Sequence, residues 1–374
     1  MPCLAEVGRH GILVASRRKA IMTLPLELPV QPMLAKAVTS VPLDATPGGP
    51  WAYEPKWDGF RCIVIRDGDD VELASRGSKP LTRYFPEVVE DVRRLVPARC
   101  VLDAELVVRR GPAGRQRLDW ESLSQRIHPA ASRITRLAGE TPAELVCFDL
   151  LALGDTSLMD QPFRDRRAAL EGALAHLEAG DPIHLTRLTT DPDLAARWFD
   201  DFEGAGLDGV MAKGLGTPYT PGKRTMLKVK HKRTADAVVF GYRIHTSGQG
   251  VGSLLLGLYD GDGRLIPVGG IAAFTAAHRR QLIEEFAPLV VLDSDGLVPH
   301  ASTDRSRFSA NKDTSFVPVR PERVVEVAFD QMEGHRFRHA VTFRRWRPDR
   351  DPQSCLLEQV ERAPAYDLAD VLGT

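Results

Sequence analysis

The sequence predicts an α+β protein of two domains: a larger one with antiparallel sheets and flanking helices, then a small β-barrel. Three observations predict it. At 374 residues the chain exceeds one ordinary domain and leaves room for two cores. Period-two apolar alternation, bounded by turn residues and interrupted by stretches of helical spacing, runs through its first part. After Lys232-Arg233-Thr234 the pattern changes to short strands with a single inserted helix.

The elements follow in order. Residues 1–22 are expected to form a disordered extension: the apolar run Gly11 to Ala15 is too short for a signal segment, Arg17-Arg18-Lys19 follows it in the wrong charge order, and Met22 offers an alternative start. Arg61 to Asp67 and Val71 to Ser75 alternate around Asp67-Gly68-Asp69-Asp70, which predicts a hairpin. Pro86 to Leu95 has helical spacing, with Pro in the first turn and acids early. Val101 to Val108 and Glu144 to Leu151 read as strands, and Arg164 to Leu177 and Asp191 to Phe202 as amphipathic helices. The first domain is placed at 23–233, the second at 234–363 and a tail at 364–374. In the second, strands at Ala237 to Ile244, Ser253 to Tyr259, Arg264 to Ile271 and Val324 to Phe329, with a helix at Ala276 to Phe286, suit a Greek-key barrel of the OB type. The loop Gly248-Gln249-Gly250-Val251-Gly252 lacks the Lys-Ser/Thr of a phosphate cradle and reads as a glycine-rich hairpin loop. Internal repeats are absent.

Composition narrows the class. Hydrophobic residues at 43% with 26% charged describe a soluble globular chain. The net charge of −1 gives no global basic field, so any grip on nucleic acid must come from local clusters. The five cysteines are scattered, with no C-x-x-C pair, which argues against a zinc ribbon or a disulfide scaffold and for a reducing, cytoplasmic setting. No apolar run approaches the ~20 residues that span a bilayer.

Chemistry concentrates in a few segments. Lys56-Trp57-Asp58-Gly59-Phe60-Arg61 sets a lysine beside a carboxylate that can hold a metal or a hydroxyl, and an arginine that can grip phosphate. A lysine amine is a poor nucleophile at its reference pKa of roughly 10.4 and becomes useful where the ammonium is disfavoured. Alone, the hexapeptide also describes an exposed lysine in a glycine turn. Further segments follow it. Arg76 lies in Ser75-Arg76-Gly77 after the second strand of the hairpin. Asp103 and Glu105 share one strand face, where two acids are costly unless hydrated, paired or metal-bound. Phe148, in Val146-Cys147-Phe148-Asp149, would by itself be a core phenylalanine. Gly206-Leu207-Asp208-Gly209 leads to Lys213, and Arg224 to Lys230 alternates so that Lys228 and Lys230 project from one face, where they repel each other or admit an anion. The tail from His335 to Arg350 is rich in arginine.

In this order the segments resemble the motifs of the covalent nucleotidyltransferase superfamily of DNA ligases, RNA ligases and mRNA-capping enzymes. From Pro32 to about Cys355 the chain resembles the small ATP-dependent DNA ligases of bacteria, the C-type and the ligase module of the D-type. The resemblance implies a nucleotidyltransferase (ATP-grasp-like ligase) domain followed by an OB-fold domain. It implies ATP, a divalent metal (Mg2+ or Mn2+), and Lys56 as the nucleophile that forms lysyl-AMP, passes AMP to a 5′-phosphate and lets a 3′-hydroxyl seal the nick. It further implies Glu54 on the adenine amino edge, Phe148 stacked on the purine, and Arg76 and Glu105 at the ribose. Lys228 and Lys230 fall on the α-phosphate, Arg61 and Arg224 elsewhere on the nucleotide, and Arg347 on the pyrophosphate. Asp58, Glu105 and Asp208 are its metal-ligand candidates. Asp208 stands where glutamate is usual, Met226 where tryptophan is frequent and Arg350 where many members have lysine. The expected partners are nicked double-stranded DNA and DNA-repair or end-joining proteins, and the expected state is a monomer. The lack of a large N-terminal DNA-binding domain and of a cysteine cluster points the same way, to a minimal ligase of repair. Two alternatives stand beside this: an RNA ligase or GTP-using capping enzyme, and a nick-binding module with weakened catalysis.

Overall fold

The computed structural model describes residues 23–44, 48–128, 130–231, 233–299, 301–302, 314–360 and 366–373, so the expected extension at 1–22 lies outside the described residues. The first domain is built on two sheets. One has the strand order Ile183–Leu185, Glu144–Leu153, Arg99–Val107, Phe60–Asp67, Asp70–Ser75, with Thr156–Ser157 beside Glu144–Leu153. The expected hairpin is present, with Cys62 opposite Ser75 and Asp67 opposite Asp70. Side-chain alternation assigns the two faces of this sheet. Cys62, Val64, Leu102 and Ala104 pack with Val88, Val89 and Val92 of the helix Pro86–Leu95 and with Leu170 of the helix Phe163–Ala173. Ile63, Ile65, Val101 and Leu151 pack with Met33, Tyr219 and Met226 of the second layer. Both faces are covered, which is why Glu144–Leu153 is buried along nearly its whole length and lacks a polar alternation.

The second sheet has the order Leu34–Val38, Arg224–Lys230, Gly209–Gly214, Trp51–Pro55. Gly209 has φ +128°, and a Cβ there would lie 2.0 Å from the Val229 carbonyl oxygen, so only glycine allows this approach. Its carbonyl accepts from Lys56 N at 2.8 Å, and Asp208 N donates to the Lys56 carbonyl at 3.0 Å. The two loops that carry Lys56 and Asp208 are thereby stitched together by backbone.

In the OB-fold domain the order is Leu265–Ile271, Val251–Tyr259, Arg233–Ile244, Ser315–Phe329, Ala301–Ser302, with Thr342–Trp346 also paired to Ser315–Phe329. Helix Ala276–Phe286, capped by the Thr275 hydroxyl, places Leu282 and Phe286 in a core with Val238, Leu254, Val268 and Val325. The glycine-rich loop is the hairpin connection between Ile244 and Val251. After Val360 the chain is described again from Tyr366, in the first domain's layer. There Leu368–Leu372 is a helix capped by Asp367, and Leu368, Val371 and Leu372 are buried with Trp51, Leu118 and Phe202. Among the described residues no helix is long and apolar enough to cross a membrane, and Cys62, Cys100, Cys147 and Cys355 are buried thiols.

Candidate active site

A cavity of about 310 Å³ opens beside the second sheet. Lys56 lines it together with Glu54, Arg61, Arg76, Glu105, Phe148, Arg224, Lys228 and Lys230. Strand alternation explains the clustering: Lys228 and Lys230 leave Arg224–Lys230 on one side, where the buried Met226 also lines the cavity, while Val229 is buried on the other.

Three amines and one carboxylate dominate its electrostatics. Lys56 Nζ lies 2.6 Å and Lys230 Nζ 2.7 Å from the same Asp208 oxygen. Burial alone would raise the Asp208 carboxyl, but the two ammonium groups outweigh it and hold the carboxyl below its ordinary value. The lysine pair separates: burial and the charges of Lys230 and Lys56 lower the Lys228 amine, whereas Asp208 raises the Lys230 amine against the pull of burial.

Arg61 and Asp103 form a bidentate pair, both contacts at 2.5 Å, and Tyr219 donates to the second Asp103 oxygen at 2.6 Å. Asp103 is therefore fully engaged. Glu105 is different: it accepts from Gly59 N at 3.1 Å, and burial, opposed by Arg61 and Lys56 and reinforced by Asp58, pushes its carboxyl up to about 7. Glycine is required at 59, because a Cβ would meet the Leu106 carbonyl oxygen at 2.0 Å.

Phe148 is buried yet belongs to none of the hydrophobic clusters; its ring has the Arg61 guanidinium at 4.6 Å and Lys213 Nζ at 4.9 Å. Lys213 was not singled out from the sequence. It is 3% exposed, and its Nζ bonds Glu54 Oε2 at 2.7 Å and the Phe148 carbonyl at 3.0 Å. Its signal was present, as the last residue of the segment that starts at Gly206.

Three candidates do not line this cavity: Asp208 meets it through its pairs with Lys56 and Lys230, and Asp58 and Arg347 stand apart from it. Asp58 lines a second one of about 570 Å³ between the domains and pairs at 2.5 Å with Arg338, whose guanidinium lies 3.4 Å from the Trp120 ring centroid. Nothing in the spacing signals a partner so distant in the chain. Arg347 pairs with Asp236 at 3.0 Å and Asp349 at 2.8 Å within the OB-fold domain, and its guanidinium holds the Asp349 carboxyl at about 2. Asp58, Glu105 and Asp208 are not brought together, and among the described residues no three metal-ligating side chains converge. The donor set still fits a magnesium-like ion, which commonly takes one or two carboxylates and completes its shell with phosphate oxygens and water. Glu105, half-buried in the cavity wall that also carries Lys56 and holding a single backbone donor, suits that use.

Residues 32–230 match the family model described as the ATP dependent DNA ligase domain, and residues 247–350 match the ATP dependent DNA ligase C terminal region. DNA ligase C1 of Mycolicibacterium smegmatis is 56% identical over 356 residues, 94% of this chain and 99% of that protein. DNA ligase C of Mycobacterium tuberculosis is 53% identical over 364 residues, again 94% and 99%. The chain belongs to the ATP-dependent DNA ligases. A solved structure from a study of Lig E DNA ligases shares the fold, with a TM-score of 0.52 at 17% identity over 85% of this chain and 99% of that one.

As a DNA ligase the chain uses ATP to form phosphodiester bonds, and the matches support neither the RNA-ligase nor the capping alternative. Its departures from the common motif spellings are accommodated locally. The short Asp208 reaches both lysines, Met226 is buried between the sheets, and Arg350 donates to the Ser354 carbonyl at 3.3 Å.

Proposed function

We propose that the 310 Å³ cavity binds ATP and that Lys56 Nζ attacks its α-phosphorus, forming lysyl-AMP and expelling pyrophosphate. The observation that carries this is the convergence of Lys56, Lys228, Lys230, Arg224, Phe148 and Glu54 on one cavity. Lys56 is paired with Asp208 and loses its proton to solvent before attack; the Asp208 carboxylate, held low by two lysines, orients the amine. Lys228 and Lys230 stabilise the charge that grows on the non-bridging oxygens. Phe148 stacks on the purine, Glu54 reads its amino edge, and Arg76 and Glu105 hold the ribose. A divalent metal held by Glu105 and phosphate oxygens would neutralise charge on the triphosphate. AMP then passes to the 5′-phosphate of a nick, and the 3′-hydroxyl displaces it.

Arg347 serves only the step that expels pyrophosphate, and from its place on Asp236 and Asp349 it reaches the cavity when the OB-fold domain rotates. We assign the ligase, as a cytoplasmic monomer, to nicked double-stranded DNA in repair or end joining. Lys56→Ala tests the division of steps: it should fail on an ordinary nick and still seal, at least slowly, a nick whose 5′ end is already adenylylated. Equal failure on both substrates would show that Lys56 acts in sealing itself and not only as the covalent carrier.

A further inference from the structure

Arg167 lies on the helix Phe163–Ala173, a segment the sequence marks as an amphipathic helix and not as a carrier of chemistry. Its side chain is 8% exposed, and its Nη1 stands 3.6 Å from Glu54 Oε1. That distance is too long for a hydrogen bond, and neither atom has another partner. The rest of the guanidinium is tied elsewhere: Nε donates to Glu171 at 2.7 Å and Nη2 to the Thr186 carbonyl at 2.8 Å. The second Glu54 oxygen is already taken, by Lys213 at 2.7 Å. A buried carboxylate in the cavity wall thus has one satisfied oxygen and one bare acceptor. Buried acceptors are rarely left bare without a reason.

We propose that Arg167 is a positioning residue for nucleobase selection. Held back by Glu171 and Thr186, it sets a positive charge 3.6 Å from Oε1 that favours the carboxylate form of Glu54 without occupying that oxygen, which stays open to the amino group of adenine. This rests on the reading that the cavity binds ATP with Glu54 at the adenine edge. Guanine presents a carbonyl oxygen at the same place, which a carboxylate repels and a protonated carboxyl can donate to.

The charges facing Glu54 come from three elements. Burial raises its carboxyl above the ordinary value, Lys213 and Arg167 pull against burial without cancelling it, and Asp149, itself held by Arg166 at 2.8 and 3.0 Å, pushes it up further. Removing Arg167 deletes one of the two lowering influences, so Glu54 takes up its proton at higher pH. ATP use should then fail at a higher pH on the acid side than in the parent protein.

The experiment measures self-adenylylation and self-guanylylation of the full chain, with Arg167→Gln, Arg167→Lys and Glu54→Gln, across pH and with thermal melting recorded for each. Arg167→Gln should raise the KM for ATP about tenfold with a smaller change in kcat, the size expected for one lost charge partner. It should also narrow the preference for ATP over GTP and shift the acid limb of kcat/KM upward, and Arg167→Lys should restore much of all three. A folded Arg167→Gln protein with parental KM, preference and pH profile overturns the proposal. So does Arg167→Lys if it loses base preference as fully as a neutral residue would. If Glu54→Gln leaves ATP KM and preference unchanged, the underlying reading of Glu54 falls. If Glu54→Gln changes them and Arg167→Gln does not, the role of Arg167 alone falls.

Discussion

Lys56 and Lys230 share one carboxylate, and that sharing separates three amines crowded into one cavity. Lys228 makes no such contact, so burial and the charges of Lys230 and Lys56 lower its amine, whereas Asp208 raises that of Lys230 against burial. Strand alternation made the lysine pair legible in the sequence. It could not reveal that the pair would divide, because that depends on where the Asp208 loop lands. Phe148 poses the converse problem: its sequence context is that of a core residue, yet its ring contacts Arg61 and Lys213 and joins no apolar cluster. Phe148→Ala should therefore raise the KM for ATP by about tenfold, consistent with base–aromatic stacking of about 1–3 kcal/mol, with little loss of kcat or melting temperature. A large drop in melting temperature at unchanged KM would return Phe148 to the core.

Elements with long, clean alternation or a proline-led first turn were legible, and the hairpin and helix Pro86–Leu95 fall where the pattern put them. The failures have physical causes. The strand expected at Val324 to Phe329 extends back to Ser315, and two prolines disguised it. Its pairing with Arg233–Ile244 passes from Arg323 directly to Pro318, so Pro321 falls outside the ladder. The helix expected to reach Leu177 ends at Ala173, where Leu174 turns into the core. Helices Trp120–Gln125 and Leu368–Leu372 are too short to show a period. The second matters to stability: Leu368 is fully buried against the first domain, and Leu368 N donates to the Gln116 carbonyl at 2.8 Å. Leu368→Ala should cost about 2–5 kcal/mol in chemical denaturation. A loss well under 1 kcal/mol would mean the helix is a loosely held appendage.

At the scale of the molecule, the cavity proposed for ATP belongs to the first domain, and the OB-fold domain touches the segment of Lys56 through Arg338 on Asp58. Arg233 adds a second contact by pairing with Glu203, next to the chain crossing. The order of motifs picked out most residues that converge on the first-domain cavity; it could not tell how the domains meet, since Asp58 and Arg338 are 280 positions apart. Family membership settles the reaction class, while the assignment of the covalent step to Lys56 is this account's central claim. Intact-mass analysis after mixing with ATP and magnesium or manganese tests it most directly, with GTP and NAD in parallel and Lys56→Ala beside the parent. The account predicts one AMP adduct on the parent with ATP, none with GTP or NAD, and none on Lys56→Ala with any of them. An AMP adduct on Lys56→Ala would contradict it.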